Sequence, residues 1–164
     1  MKTQKLVRLA LLSAVALTIF VLEAQIPAPI PVSGVKLGLA NIVTVVTLLL
    51  MGPWEALAVL LIRVVLGSLA TGQVSAMLYS LAGGLLSWLV MLPIRKHVTD
   101  RQIWVISIFA AFAHNVGQML VAVAVTGTPA ILVYLPVLLL SGILTGAFTG
   151  LCAQFLVARL RRIW

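Results

Sequence analysis

An all-α integral membrane bundle of six transmembrane helices, forming a single domain over residues 1–164, is the fold this chain predicts. Three observations carry that reading: extreme apolarity, apolar runs broken by short proline- and glycine-bearing turns, and a lopsided distribution of basic residues. The chain is 63% hydrophobic and only 9% charged, with a mean hydropathy of +1.23. Water-soluble domains are about 25% charged, and such a fold could not hide this much apolar surface. A net charge of +8 and a pI near 11.0 invite a nucleic-acid reading. No basic surface interleaved with aromatics is present to support it. Topology explains the charge better, because Lys and Arg collect in cytoplasmic loops.

The first apolar run, Leu9 to Leu22, follows Lys2, Lys5 and Arg8. Alone it resembles a signal peptide, but Leu22-Glu23-Ala24 is a poor small-x-small cleavage site. It is read as the first span, entering from the cytoplasm. Pro27, Pro29 and Pro31 then predict an extended, rigid IPAPIP segment, since proline fixes its own φ and restricts the residue before it. Ser33-Gly34 turns the chain towards Lys36 and the second helix, about Leu37 to Met51. Gly52-Pro53-Trp54-Glu55 is a turn carrying an interfacial Trp.

The third helix is expected over about Ala56 to Ala70, and the fourth over about Val74 to Leu92, halted by Pro93. A charged loop, Arg95 to Arg101, leads to the fifth, about Ile103 to Val125, which stops at Thr126-Gly127-Thr128-Pro129. The sixth covers about Ala130 to Ala158 and contains Pro136. A span needs roughly 17–25 residues, so helices two and three are short. Their irregular ends require cover by protein or a cavity. With the N-terminus inside, nine bases fall on the cytoplasmic side (Lys2, Lys5, Arg8, Arg95, Lys96, Arg101, Arg159, Arg161 and Arg162) and only Lys36 outside. Both termini are therefore expected in the cytoplasm.

Several chemistries lack their residues. Cys152 is the only cysteine and lies in an apolar run, so neither a disulfide framework nor a thiolate cluster is available. No Walker A sequence is present. A single aspartate, Asp100, cannot form a paired-carboxylate site for Mg²⁺ and diphosphate. His97 and His114 lie in different segments, against a metal site. No cofactor is expected, and a self-contained enzyme is poorly supported.

Arg63 is the most informative residue. At ~1.5 Å per residue it lies ~12 Å into helix three, near the midplane, where a charge costs at least ~2.5 kcal/mol. Of the three acids, Glu55, Asp100 and Glu23, none is an obvious partner and Glu23 is the least implausible. Either Arg63 hydrogen-bonds carbonyls and amides, or an anionic ligand completes it; a purely structural, snorkelling role fits equally. His114, Asn115 and Gln118 share a stripe of helix five, which reads as a cavity lining or as interhelical glue. Asn41, Tyr79 and Ser80, with Lys36, Glu23 and Gln25, fall in the outer half and could line the same outward pocket. Ala10 and Ala14 form a small-xxx-small pair, and Gly142, Gly146 and Gly150 a double one; such rows let helices approach closely.

Taken together, Ala-x-x-x-Ala in helix one, the outer proline loop, the Lys-Leu-Gly opening of helix two and six short spans resemble the substrate-binding S-components of energy-coupling factor vitamin transporters. More narrowly, IPAPIP, GVKLGLAN, RVVLG and SLAGGLLS resemble the Gx transporter family, also labelled heptaprenyl diphosphate synthase component I. The resemblance spans nearly the whole chain. It implies a bacterial cytoplasmic membrane protein that takes a small vitamin-like molecule into a pocket beneath the loop joining helices one and two. It also implies association with a membrane T-subunit and two cytoplasmic ATPases, with Ala10 and Ala14 as the T-subunit contact. Metal-specific members carry an N-terminal His-containing segment, which MKTQKL lacks, so nickel or cobalt uptake is disfavoured. Expected ligand contacts are Glu23, Lys36, Asn41, Arg63, Tyr79, His114, Asn115 and Gln118, and the ligand is expected to be anionic or strongly polar. The alternative is a non-catalytic membrane companion of a prenyl diphosphate synthase.

Overall fold

The computed structural model describes residues 2–26 and 38–163. Six α-helices account for most of them: α1 (Lys2–Glu23), α2 (Asn41–Leu50), α3 (Pro53–Ala70), α4 (Val74–Ile94), α5 (Ile103–Thr126) and α6 (Leu135–Leu160). Five are long and apolar enough to cross a membrane, and α2, with ten residues, is shorter than a span. The multi-pass membrane character follows from these lengths. The predicted IPAPIP segment, Ser33-Gly34 and Lys36 lie outside the described residues.

The turns form where the local chemistry demands them. Gly52 takes a φ of +132°, a conformation L side chains rarely adopt, and Pro53 follows in the first turn of α3. This is the pairing of a permissive residue with one whose missing N–H costs nothing at a helix start. Gly127 closes α5 in the left-handed region at φ +63°. Two proline expectations need correction. The fourth helix continues through Pro93 to Ile94. Pro136 lies in the first turn of α6, because residues 129–134 form a separate 3₁₀ segment. A proline there removes no hydrogen bond that the helix would otherwise make.

Helix association in lipid relies on close packing and interhelical hydrogen bonds, because lipid tails are as apolar as the helix faces. Here α5 packs most extensively, against α4 on one side and α6 on the other, while α3 is bordered by α1, α2 and α4. The glycine ridge of α6 is spent on this packing. A Cβ at Gly150 would fall 2.5 Å from Trp104 Cα, and one at Gly146 would fall 2.9 Å from Ile108 Cα. Gly117 on α5 lies similarly against Ala82 and Gly83 of α4.

One apolar core, including Leu12, Val45, Leu48, Val59, Met91, Ile106 and Val157, fills the end of the bundle that carries the basic residues. Two smaller clusters lie towards the other end, one around Tyr79, Met119 and Leu138 and one around Phe20, Ala40 and Val64. A polar cluster sits among them.

Candidate functional site

Three helices bring their polar residues to one level. Arg63 stands ~15 Å from Pro53 along α3, His114 ~16 Å from Ile103 along α5, and Asn41 ~14 Å from Leu50 along α2. The short α2 begins in mid-bundle, and so it presents its first residue, Asn41, at this depth. The backbone preceding it turns at Gly38, with a φ of +79°. A Cβ there would lie 3.0 Å from Asn41 Nδ2 and 3.3 Å from His114 Cδ2, so the turn is pressed against the polar cluster and only glycine fits without displacement.

Arg63 is 2% exposed. Its Nη2 donates a hydrogen bond to Asn41 Oδ1 at 2.6 Å, while Nε has no partner among the described residues. Glu23, at the end of α1, is also buried. Its carboxylate accepts hydrogen bonds from the backbone N–H of Gly38 and, at 3.2 Å, from that of Ala40. One carboxylate thus ties the end of α1 to the turn before α2. Among the described residues Arg63 makes no ion pair with Glu23, although both side chains line the same void.

Phe20, Glu23, Gly38, Arg63, Val64, Ser80 and His114 line a small void at this point. It offers the centre of a water molecule about 10 Å³, the lower limit for holding a single water. Of the expected contacts, Glu23, Arg63 and His114 line it directly, and Asn41 joins through Arg63.

The others go elsewhere. Asn115 Nδ2 donates to the Leu138 carbonyl of α6 at 2.6 Å, and a Cβ on Gly142 would fall 2.4 Å from that nitrogen. Gln118 is fully buried against Gly83 of α4, with neither amide atom hydrogen-bonded among the described residues. The expected single stripe is thus divided, because residues 114 and 115 point ~100° apart on a helix. Tyr79 packs into the apolar cluster with Met119 and Leu138, while its neighbour Ser80 faces the void. Gln25 is exposed, and Lys36 lies outside the described residues. Phe20 and Gly38 were not singled out from the sequence. Phe20 was findable as the residue one turn before Glu23 on the same face of α1, and Gly38 as the glycine inside GVKLGLAN.

Ala10 and Ala14 are exposed on α1, on the face that also carries Val7, Leu11 and Val15. Among the described residues no group of His, Cys, Asp and Glu could hold a metal ion.

The comparison with protein families places the chain. Residues 12–156 match the family described as heptaprenyl diphosphate synthase component I. The chain belongs to that family. The match covers all six helices of this component I protein in whole or in part, and it agrees with the family label suggested by GVKLGLAN and the accompanying motifs. No curated protein and no solved structure matches the chain.

Proposed function

We propose that this component I protein is a non-catalytic, ligand-capturing membrane subunit, of the S-component type, in an energy-coupling factor importer for a small polar, vitamin-like metabolite. The carrying observation is the mid-bundle arrangement of Arg63, Asn41, Glu23 and His114 around a void. Ionisable residues at this depth are expensive and mark ligand or ion sites by default. Among the described residues, the cluster also leaves Arg63 Nε and Asn41 Nδ2 without a hydrogen-bond partner. A void of one water's size does not hold a metabolite. Capture therefore requires Gly38 and Glu23 to separate from His114 and Arg63, which would open the space between the end of α1 and the start of α2.

In this reading both termini face the cytoplasm of a bacterial cell, ATP is hydrolysed on separate subunits, and Ala10 and Ala14 meet a T-subunit. Ligand binding to Arg63→Ala and His114→Ala tests the site, and unchanged affinity in both removes it. A second reading is favoured by the family description: a membrane companion of a separate prenyl diphosphate synthase subunit. Co-purification separates the two. A T-subunit with ATPases supports import, and a soluble prenyl synthase supports the companion role.

A further inference from the structure

At the basic end of the bundle, well away from the Arg63 cluster, Pro53, Trp54, Trp88, Leu92, Pro93, Arg95 and Lys96 enclose a groove of about 360 Å³. Its walls are two indoles, with ring centroids 6.1 Å apart and planes inclined at 47°. The Trp88 indole N–H donates to the Pro53 carbonyl at 2.9 Å, which fixes that ring and joins the start of α3 to the end of α4. Trp54 is 71% exposed. Arg95 and Lys96 stand at the mouth and take part in no ion pair among the described residues. Glu55, the nearest acid in sequence to the groove's Pro53 and Trp54, is engaged by Lys5.

Two exposed apolar tracks run from this groove into the hydrocarbon zone. Trp54, Leu61 and Val65 follow one face of α3, and Leu85 and Leu89 lead along α4 to Leu92. The result is amphipathic in a particular order: adjacent cations at the membrane surface, an aromatic slot beneath them, and aliphatic rails below. Trp anchors at the interface and juxtamembrane Lys/Arg that attract anionic headgroups are the two general means by which proteins hold such lipids.

We infer that this groove is a binding site for one anionic phospholipid, its phosphate held by Arg95 and Lys96 and its acyl chains laid along the tracks of α3 and α4. Charge complementarity selects the occupant. A zwitterionic headgroup would bring its own cation to a mouth already holding two, whereas phosphatidylglycerol brings a single unopposed negative charge. The inference is independent of which partner the protein serves, since it uses none of the residues of the mid-bundle cluster.

The test is native mass spectrometry of the full chain released from bilayers containing equal amounts of phosphatidylglycerol and phosphatidylcholine. The wild type is expected to retain one phosphatidylglycerol. The Arg95→Gln/Lys96→Gln variant is expected to retain it roughly 30-fold less, as loss of two surface cations implies. An Arg159→Gln/Arg162→Gln variant removes the same charge away from the groove and is expected to behave as wild type, and Trp54→Ala tests the slot without altering charge. Equal loss in the two double variants would mean diffuse attraction and overturn the site. Displacement of the phospholipid by a lower concentration of farnesyl diphosphate would overturn the assigned occupant. Thermal melting of each variant separates a lost site from a lost fold.

Discussion

The protein buries polar side chains in two different ways, and the contrast between the α5–α6 seam and the α1–α2–α3 cluster is what motivates the proposed site. Along the seam the donors and acceptors named here close on neighbouring helices. Asn115 caps the Leu138 carbonyl, Ser107 and Thr149 hydrogen-bond at 3.0 Å, and glycines at 142, 146 and 150 bring the backbones close enough for these bonds to form. In the cluster a guanidinium and a carboxylate are buried beside a void, and Arg63 Nε and Asn41 Nδ2 have no hydrogen-bond partner among the described residues. The seam has the economy of interhelical glue. The cluster carries more charge than holding three helices together requires, and on that surplus rests the proposal that it binds a ligand.

The comparison can be broken most forcefully at Arg63. Its replacement by methionine removes the hydrogen bond to Asn41 Oδ1 and the cation that lines the void with Glu23, and hydrogen bonds to charged groups are worth about 1.5–3 kcal/mol. Thermal unfolding in detergent should show the largest fall of any variant here. Adding Glu23→Gln should restore part of it, since partners in one network are non-additive; strict additivity would mean that the two do not form a unit.

Next is Gly117→Val, whose Cβ would lie 2.8 Å from both Ala82 O and Gly83 Cα. Overpacking against backbone should lower stability by about 1–3 kcal/mol, again read by thermal unfolding, with ligand affinity falling in step with the folded fraction and no further. Asn115→Ala should cost less, about 0.6–1.7 kcal/mol by the range for interhelical hydrogen bonds in membranes. Its binding of ligand should remain normal. A specific loss of binding in Asn115→Ala would erase the distinction between seam and cluster.

Smallest of all, Ala10→Leu/Ala14→Leu should leave the melting of the isolated chain within about 0.5 kcal/mol, because both positions are exposed. It should instead reduce co-purification of a membrane partner.

Much of this fold was legible because membrane spans announce themselves by length and composition. The helix ends at Gly52-Pro53 and Gly127 followed from residues whose backbone preferences are strong. What composition could not reveal was how far α2 falls short of a span, because its start is set by the Gly38 turn and by Glu23, both tertiary features. That shortness is also why Asn41 reaches the level of Arg63. The site was half legible. Arg63, His114, Asn41 and Glu23 were recognisable as polar residues in apolar surroundings. The pairing of Glu23 with the turn was hidden by the intervening sequence. Tyr79 and Asn115 were misplaced by counting depth alone, since a single residue of rotation sends neighbours to different helices. The α6 glycines gave the spacing of a close contact, but only packing identified α5 as the other side.

The central claim is that the Arg63 cluster holds a ligand. Native mass spectrometry of protein extracted gently from its own membrane tests this most directly, comparing wild type with Arg63→Ala and His114→Ala. A small polar molecule bound to the wild type and lost from both folded variants is the predicted result. The same molecule retained at equal occupancy in all three would contradict it.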